Sequence, residues 1–215
     1  MHDVTPGALG QPPLLEDITA GRLAERIANA GRYLTTHEHD VWHQQTIARG
    51  QKVKHAAVLI PLVDRSEGIH VLFTQRTVYL KDHTGQISFP GGGVEPQDRH
   101  RQDTALRETE EEIGLSRSSI TVLGELPEFE MQSGFRIAPV VGWIRPPYST
   151  RLDPLEVEDI FEVPFEHFLR PERYQRRRYV IDGVERKYLA IPYEGRYIWG
   201  ATAGMLYMFY QLLRG

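Results

Sequence analysis

The chain contains no cysteine, which excludes disulfides, thiolate metal sites and cysteine nucleophiles together. No stretch approaches the roughly 20 apolar residues that span a bilayer, and the C-terminal run LYMFYQLL is far too short. The opening residues, MHDVTPGALGQPPLL, lack the basic start and apolar run of a secretory signal. A cytoplasmic protein with no membrane contact is therefore expected. An excess of positive charge is also missing: 25 Lys+Arg against 29 Asp+Glu give a net charge of −4. That balance argues against a general nucleic-acid binder, which usually carries a basic surplus. Any chemistry must use carboxylates, imidazoles, hydroxyls or bound metal.

What is present suits a globular protein. The 215 residues are 40% hydrophobic and 10% aromatic, enough for one domain with decorations and a sizeable core. Residues 1–50 read as a Pro/Gly-rich arm followed by a helix, in which Ile18, Leu23 and Ile27 share a stripe and Gly31 stops the run. Residues 51–215 form the main domain. AAVLIPLV and IHVLFTQR, joined by the turn-like DRSEG, predict a strand hairpin. A charged helix runs from about Asp103 to Ile113 and stops at Gly114. ITVLGEL, FRIAPVVGWI, VEDIFEV, RYVIDG and RKYLAIPY read as strands, with Asp182-Gly183 as a hairpin turn, and Ala201 to Leu213 as a closing helix. Strands outnumber helices without regular alternation, so the expected class is α+β.

The densest chemical signal is ALRETEEEIGL, preceded by Gly91-Gly92-Gly93. At about 100° per residue, Glu108, Glu111 and Glu112 share one arc, Glu110 points away, and Leu106 and Ile113 lie opposite. Three carboxylates on one face offer several oxygens to a hard divalent cation such as Mg²⁺ or Mn²⁺. Without a cation, Glu108 and Glu112 are like charges one turn apart and repel. A solvated helix face would show the same charges. The glycines favour the first reading, because they let backbone approach a ligand closely.

Arg107 to Leu115 resembles the second half of the Nudix box, Arg-Glu-U-x-Glu-Glu-x-Gly-U, with Thr109 an imperfect bulky U. The first half departs from the pattern. Gly92 precedes Arg107 by one residue more than usual, and Asp98 stands near the place of a glutamate, as if one residue were inserted before the helix. Upstream, LFTQRTVYLKDHTGQISFPGGG resembles the coenzyme A pyrophosphatase branch, with Thr74, Arg76, Leu80, His83, Gly85, Phe89 and Pro90 fitting, Phe73 for a leucine and Ile87 for a valine. SGFRIAPVVGWI and IWGATAGML also look like that branch.

The resemblance implies an α/β/α sandwich with a mixed sheet. It implies Glu108, Glu111 and Glu112 as metal ligands and catalytic residues, oriented by Arg107. The metal would be Mg²⁺ or Mn²⁺. The loop of Gly91 and Gly92 would lie beside a diphosphate, and Arg76, Lys81 and His83 would contact a coenzyme A-like substrate. Cleavage would give 3′,5′-adenosine bisphosphate and 4′-phosphopantetheine, or its acyl form. A different nucleoside diphosphate derivative such as ADP-ribose, or a non-catalytic nucleotide-sensing module, is the alternative. Glu111, Glu128 and Glu130 are the candidate general bases. Arg170, Arg173, Arg176, Arg177 and Arg178 form a second cationic cluster, which reads first as a solvated basic strand face or a partner-contact surface and only second as a phosphate site. Tyr188, Tyr193, Tyr197 and Trp199 could stack on adenine or complete a core. His37, His39, Asp40 and His43 are spaced too loosely to mark a metal site alone. A homodimer is a candidate assembly.

Overall fold

The computed structural model describes residues 18–30, 50–78, 85–181 and 183–214. The frame is a mixed eight-stranded sheet built around β1 (Lys54–Arg65). Along one edge, β1 pairs antiparallel first with β4 (Gly91–Gly93) and then with β2 (Gly68–Arg76). Along the other it runs parallel to β7 (Phe135–Ile144), from Lys54↔Phe135 to Val63↔Ile144. β2 carries β3 (Ile87–Ser88) and β8 (Val157–Pro164), while β7 carries β5 (Ile120–Glu125) and β6 (Phe129–Glu130). A second, three-stranded sheet has the order β11 (Arg196–Trp199), β10 (Val184–Tyr193), β9 (Gln175–Ile181).

β1 and β7 are apolar on both faces because both faces are covered. Alternation sorts their side chains cleanly. Ala57, Leu59 and Val63 join Ala138, Val140 and Ile144 beneath α2 (Arg101–Ile113), whose Ala105 and Ile113 pack on them. Ala56, Ile60 and Leu62 join Ile137, Val141 and Trp143 on the opposite face. That second core takes in α3 (Ala201–Arg214) through Ala203, Met205, Leu206 and Phe209, and α1 (Ala20–Ala28) through Leu23 and Ile27. Helix, sheet and helices make an α/β/α sandwich. No helix among the described residues is long and apolar enough to cross a membrane.

The expected elements appear, with differences in detail. The hairpin of β1 and β2 closes over Arg65↔Gly68, and that of β9 and β10 over Ile181↔Val184. The N-terminal helix is short: Thr19 caps it by accepting from the Arg22 amide, and Ile18 packs at its entrance. The expected stop at Gly31 lies outside the described residues. Helix α1 is not an appendage, since its two apolar side chains sit in the same core as α3. Four strands have no counterpart in the sequence reading: β3, β4 and β6 are too short for a period of two to register, and β11 follows a tight turn directly after β10. Ile27→Ala should cost about 2–4 kcal/mol, read as a lower urea midpoint; an unchanged midpoint would mean that α1 lies outside the cooperative unit.

Candidate active site

Helix α2 begins at His100, whose ring nitrogen accepts from the Asp103 amide, and ends at Gly114 in the left-handed region (φ 65°). Its last carbonyls are capped by the segment after β7: the Arg151 amide donates to Ile113 O at 2.7 Å and the Asp153 amide to Glu112 O at 2.9 Å. The end of the helix and the segment after β7 are thereby fixed to one another. Thr109, the imperfect match to a bulky residue, is fully buried. Its hydroxyl donates to Ala105 O at 2.6 Å, which satisfies the polar atom inside the helix and leaves the methyl to the core.

The three glutamates share a face but not an environment. Glu112 is buried at 4% exposure, Glu108 is half-buried and Glu111 is exposed. The Gly91 amide donates to Glu112 Oε2 at 3.3 Å, and Arg76 Nη1 stands 3.7 Å from Oε1. Burial, with the charges of Glu156 and Glu108 adding to it, pushes the Glu112 carboxyl up to about 8, although Arg76 opposes the shift. Glu108 is raised in the same direction, chiefly by burial. Glu110 points elsewhere and pairs with Arg117 at 3.0 Å.

Arg107 is buried and wholly occupied. Its Nε and Nη2 donate to the two Asp98 oxygens at 3.1 and 3.0 Å, Nη2 also to Gly93 O at 3.1 Å, and Nη1 to Glu108 Oε1 and Glu111 Oε2 at 2.9 Å each. Asp98 is the residue that the irregular box spacing left without a clear role. It accepts additionally from the Thr104 hydroxyl at 2.8 Å and the Glu95 amide at 2.9 Å. The Arg107 guanidinium holds its carboxyl well below the usual range. The extra residue is absorbed in the loop ahead of the helix, and the shorter aspartate still reaches the arginine.

The glycines are required sterically. Gly91 has φ 156°, and a Cβ there would strike the Ala57 carbonyl and Val58 of β1. A Cβ on Gly92 would strike the Glu108 carboxylate. Upstream, Phe89 stacks on Phe73 at 5.2 Å and the Leu59 amide donates to Pro90 O at 2.9 Å, so the Phe-Pro pair seats the glycine strand against β1.

Several expected site residues fall elsewhere. Lys81 and His83, like His37, His39, Asp40 and His43, lie outside the described residues. Glu128 forms ion pairs with Arg101 and Arg136, and Glu130 pairs with Arg136 at 2.7 Å. Both are held on the β6 side. Glu156, which sequence reasoning missed, acts electrostatically on both Glu108 and Glu112. It sits where the capping segment meets β8, with no motif around it; only the fold brings it to the helix.

A Nudix domain profile matches residues 53–184. The chain belongs to the Nudix family. Its similarity to an uncharacterized Nudix hydrolase NudL of Yersinia enterocolitica is 40% identity over 152 residues, 71% of this chain and 77% of the relative. With NudL of Escherichia coli K12 the identity is 38% over 153 residues, 71% of this chain and 79% of the relative. Among solved structures, the Nudix hydrolase RenU of M. Smegmatis is similar with a TM-score of 0.46 and 20% identity, covering 58% of this chain and 79% of RenU.

As the donor set of a Nudix metal site, the three carboxylates have the right chemistry: hard oxygens, one of them buried and short of positive charge. Glu108 and Glu111 both accept from Arg107 Nη1, while Glu112 turns to the Gly91 amide. Among the described residues no trio of acidic or imidazole groups has metal-cage geometry.

Asp98→Asn should lower stability at pH 7 by about 3 kcal/mol, since it leaves Arg107 buried with an incomplete partner. The depressed Asp98 pKa stabilises the fold above its unfolded value of about 3.9 and loses that contribution as pH falls through the folded value. The gap between wild type and variant, measured by urea unfolding, should therefore stay constant from pH 7 to about pH 5 and narrow as the pH falls below about 4.

Proposed function

We propose that this Nudix protein is a metal-dependent hydrolase that cleaves the diphosphate of coenzyme A or a derivative in the cytoplasm. The observation that carries the reading is the junction of Glu112, the Gly91 amide and Arg76. A buried carboxylate, a backbone donor and a guanidinium meet at the glycine strand. Arg76 belongs to the upstream coenzyme A-type pattern, and the fold sets it beside the box glutamate. Among the described residues its Nε is buried without a hydrogen-bond partner, and a phosphate oxygen would satisfy it.

Glu108, Glu111 and Glu112 would hold Mg²⁺ or Mn²⁺. When bound, the metal supplies Lewis-acid activation of a phosphoryl oxygen and lowers the pKa of water. The chain does the rest. Arg107 fixes the rotamers of Glu108 and Glu111, Gly92 leaves room for Glu108, and Arg76 offsets the charge of the scissile diphosphate. Glu128 and Glu130 are paired with Arg101 and Arg136 on the β6 side, so Glu111, on the glutamate face, and Glu156, which acts electrostatically on Glu108 and Glu112, are the candidate bases for the attacking water.

Mass analysis of products from coenzyme A, its acyl forms and ADP-ribose, each with Mg²⁺ or Mn²⁺, should give adenosine bisphosphate and phosphopantetheine. ADP-ribose cleaved while coenzyme A stays intact would overturn the substrate assignment. Glu112→Gln should lose at least about 100-fold in turnover with its thermal midpoint retained; undiminished turnover would refute the metal-site assignment. Gly92→Ala should lower turnover about 100-fold by displacing the Glu108 carboxylate, measured as kcat at saturating metal. Wild type inactive on every diphosphate tried would favour a nucleotide-sensing module.

A further inference from the structure

The three-stranded sheet presents an outer face that the hydrolase reading leaves unused. Register places Arg177 opposite Tyr188, Tyr179 opposite Arg186, Ala190 opposite Trp199 and Pro192 opposite Tyr197. Directly opposed residues share a face, so Arg177, Tyr179, Arg186, Tyr188, Tyr197 and Trp199 lie together. Ring contacts agree: Tyr179 meets Tyr188 and Tyr188 meets Trp199, both at 5.5 Å between centroids. The other face carries Leu189, Ile191 and Ile198 into the core, and it also holds the ion pairs Arg178–Glu185 at 3.4 Å and Arg196–Asp159 at 2.7 Å. The outer face has aromatics and arginines but no carboxylate on its strands. Arg177 donates only to the neutral Gln175, Arg186 Nε is buried without a hydrogen-bond partner, and Tyr197 and Trp199 are 41% and 36% exposed.

We propose that this face binds single-stranded nucleic acid. The net charge of −4 argues against such a partner only if the charge is evenly spread. It is not: the outer face carries Arg177 and Arg186 with no carboxylate on its strands, in a chain whose acids outnumber its Lys+Arg 29 to 25. An antiparallel sheet with adjacent aromatic rings and flanking arginines offers stacking surfaces for bases and cations for the intervening phosphates. The charge pattern disfavours a second copy of this chain as the occupant. A two-fold interface on this face would bring like patches together, setting arginines of both protomers against each other without a carboxylate to pair them.

The test is fluorescence anisotropy of labelled 12-nucleotide poly(A) and poly(U) RNA with the full chain. Binding should weaken about sevenfold between 50 and 200 mM salt if both arginines contact phosphate. Trp199→Ala should weaken it at least about fivefold through lost stacking. Arg177→Glu, at an exposed position that keeps the fold intact, should weaken it further at low salt and flatten the salt dependence. No binding up to about 100 μM protein, or binding that neither variant changes, would overturn the proposal. So would a concentration-dependent dimer in sedimentation that Arg177→Glu alters while RNA binding stays absent. A raised KM of Trp199→Ala for small nucleotides, without oligonucleotide binding, would reassign the face to the hydrolase substrate.

Discussion

The Arg107 guanidinium is the joint on which the site depends. It receives a carboxylate from the loop before the helix, a carbonyl from the glycine strand and two carboxylates from its own helix. Each of these segments is anchored separately: the glycine strand by β1, the helix by the Ala105–Ile113 face. Arg107 fixes their relation. Because Asp98 and Arg107 are both buried, the geometry is rigid in a way that surface ion pairs are not. That rigidity lets a helix of ordinary length hold three acids within one arc.

The site also combines burial with charge on neighbouring turns. Thr109 and Glu112 are both withdrawn from water, but by different means. The threonine satisfies itself on its own helix, whereas the glutamate has only a backbone amide and a more distant arginine. An under-compensated buried carboxylate is costly to a fold, and a protein keeps one where something else is to bind there. The position of Glu112 is thus informative beyond its identity. Three glutamates on a helix are common; one pressed beneath a glycine strand beside an arginine is not explained by solvation.

Much of this was legible in the residues. The hairpins, the charged helix with its glycine stop and the closing helix follow from periodicity and turn chemistry, and the box residues locate the site. What escaped was long-range. Glu156 belongs to no motif and reaches the glutamates only because its segment caps the helix. Glu128 and Glu130 looked free as candidate bases, but β6 delivers them to Arg101 and Arg136. The irregular spacing before Arg107 marked a departure without saying that Asp98 would fill the place. Likewise, the basic run at 176–178 could not be divided in sequence: strand alternation sends Arg178 to one face with Glu185 and Arg177 to the other with the tyrosines.

The parallel pairing of β1 with β7 bears on how the molecule comes into being. Lys54 lies against Phe135 and Val63 against Ile144, so the central seam joins segments some eighty residues apart along the chain. Closing so long a loop is slow, and the contacts that reward it arrive only afterwards. The first hairpin and the charged helix are local and can form early. The glycine strand, by contrast, has nothing on which to rest until β1 is embedded. The junction of glycine strand and glutamates therefore completes only once the seam of β1 and β7 has closed, and a chain short of that point carries its glutamates without the strand that packs against them.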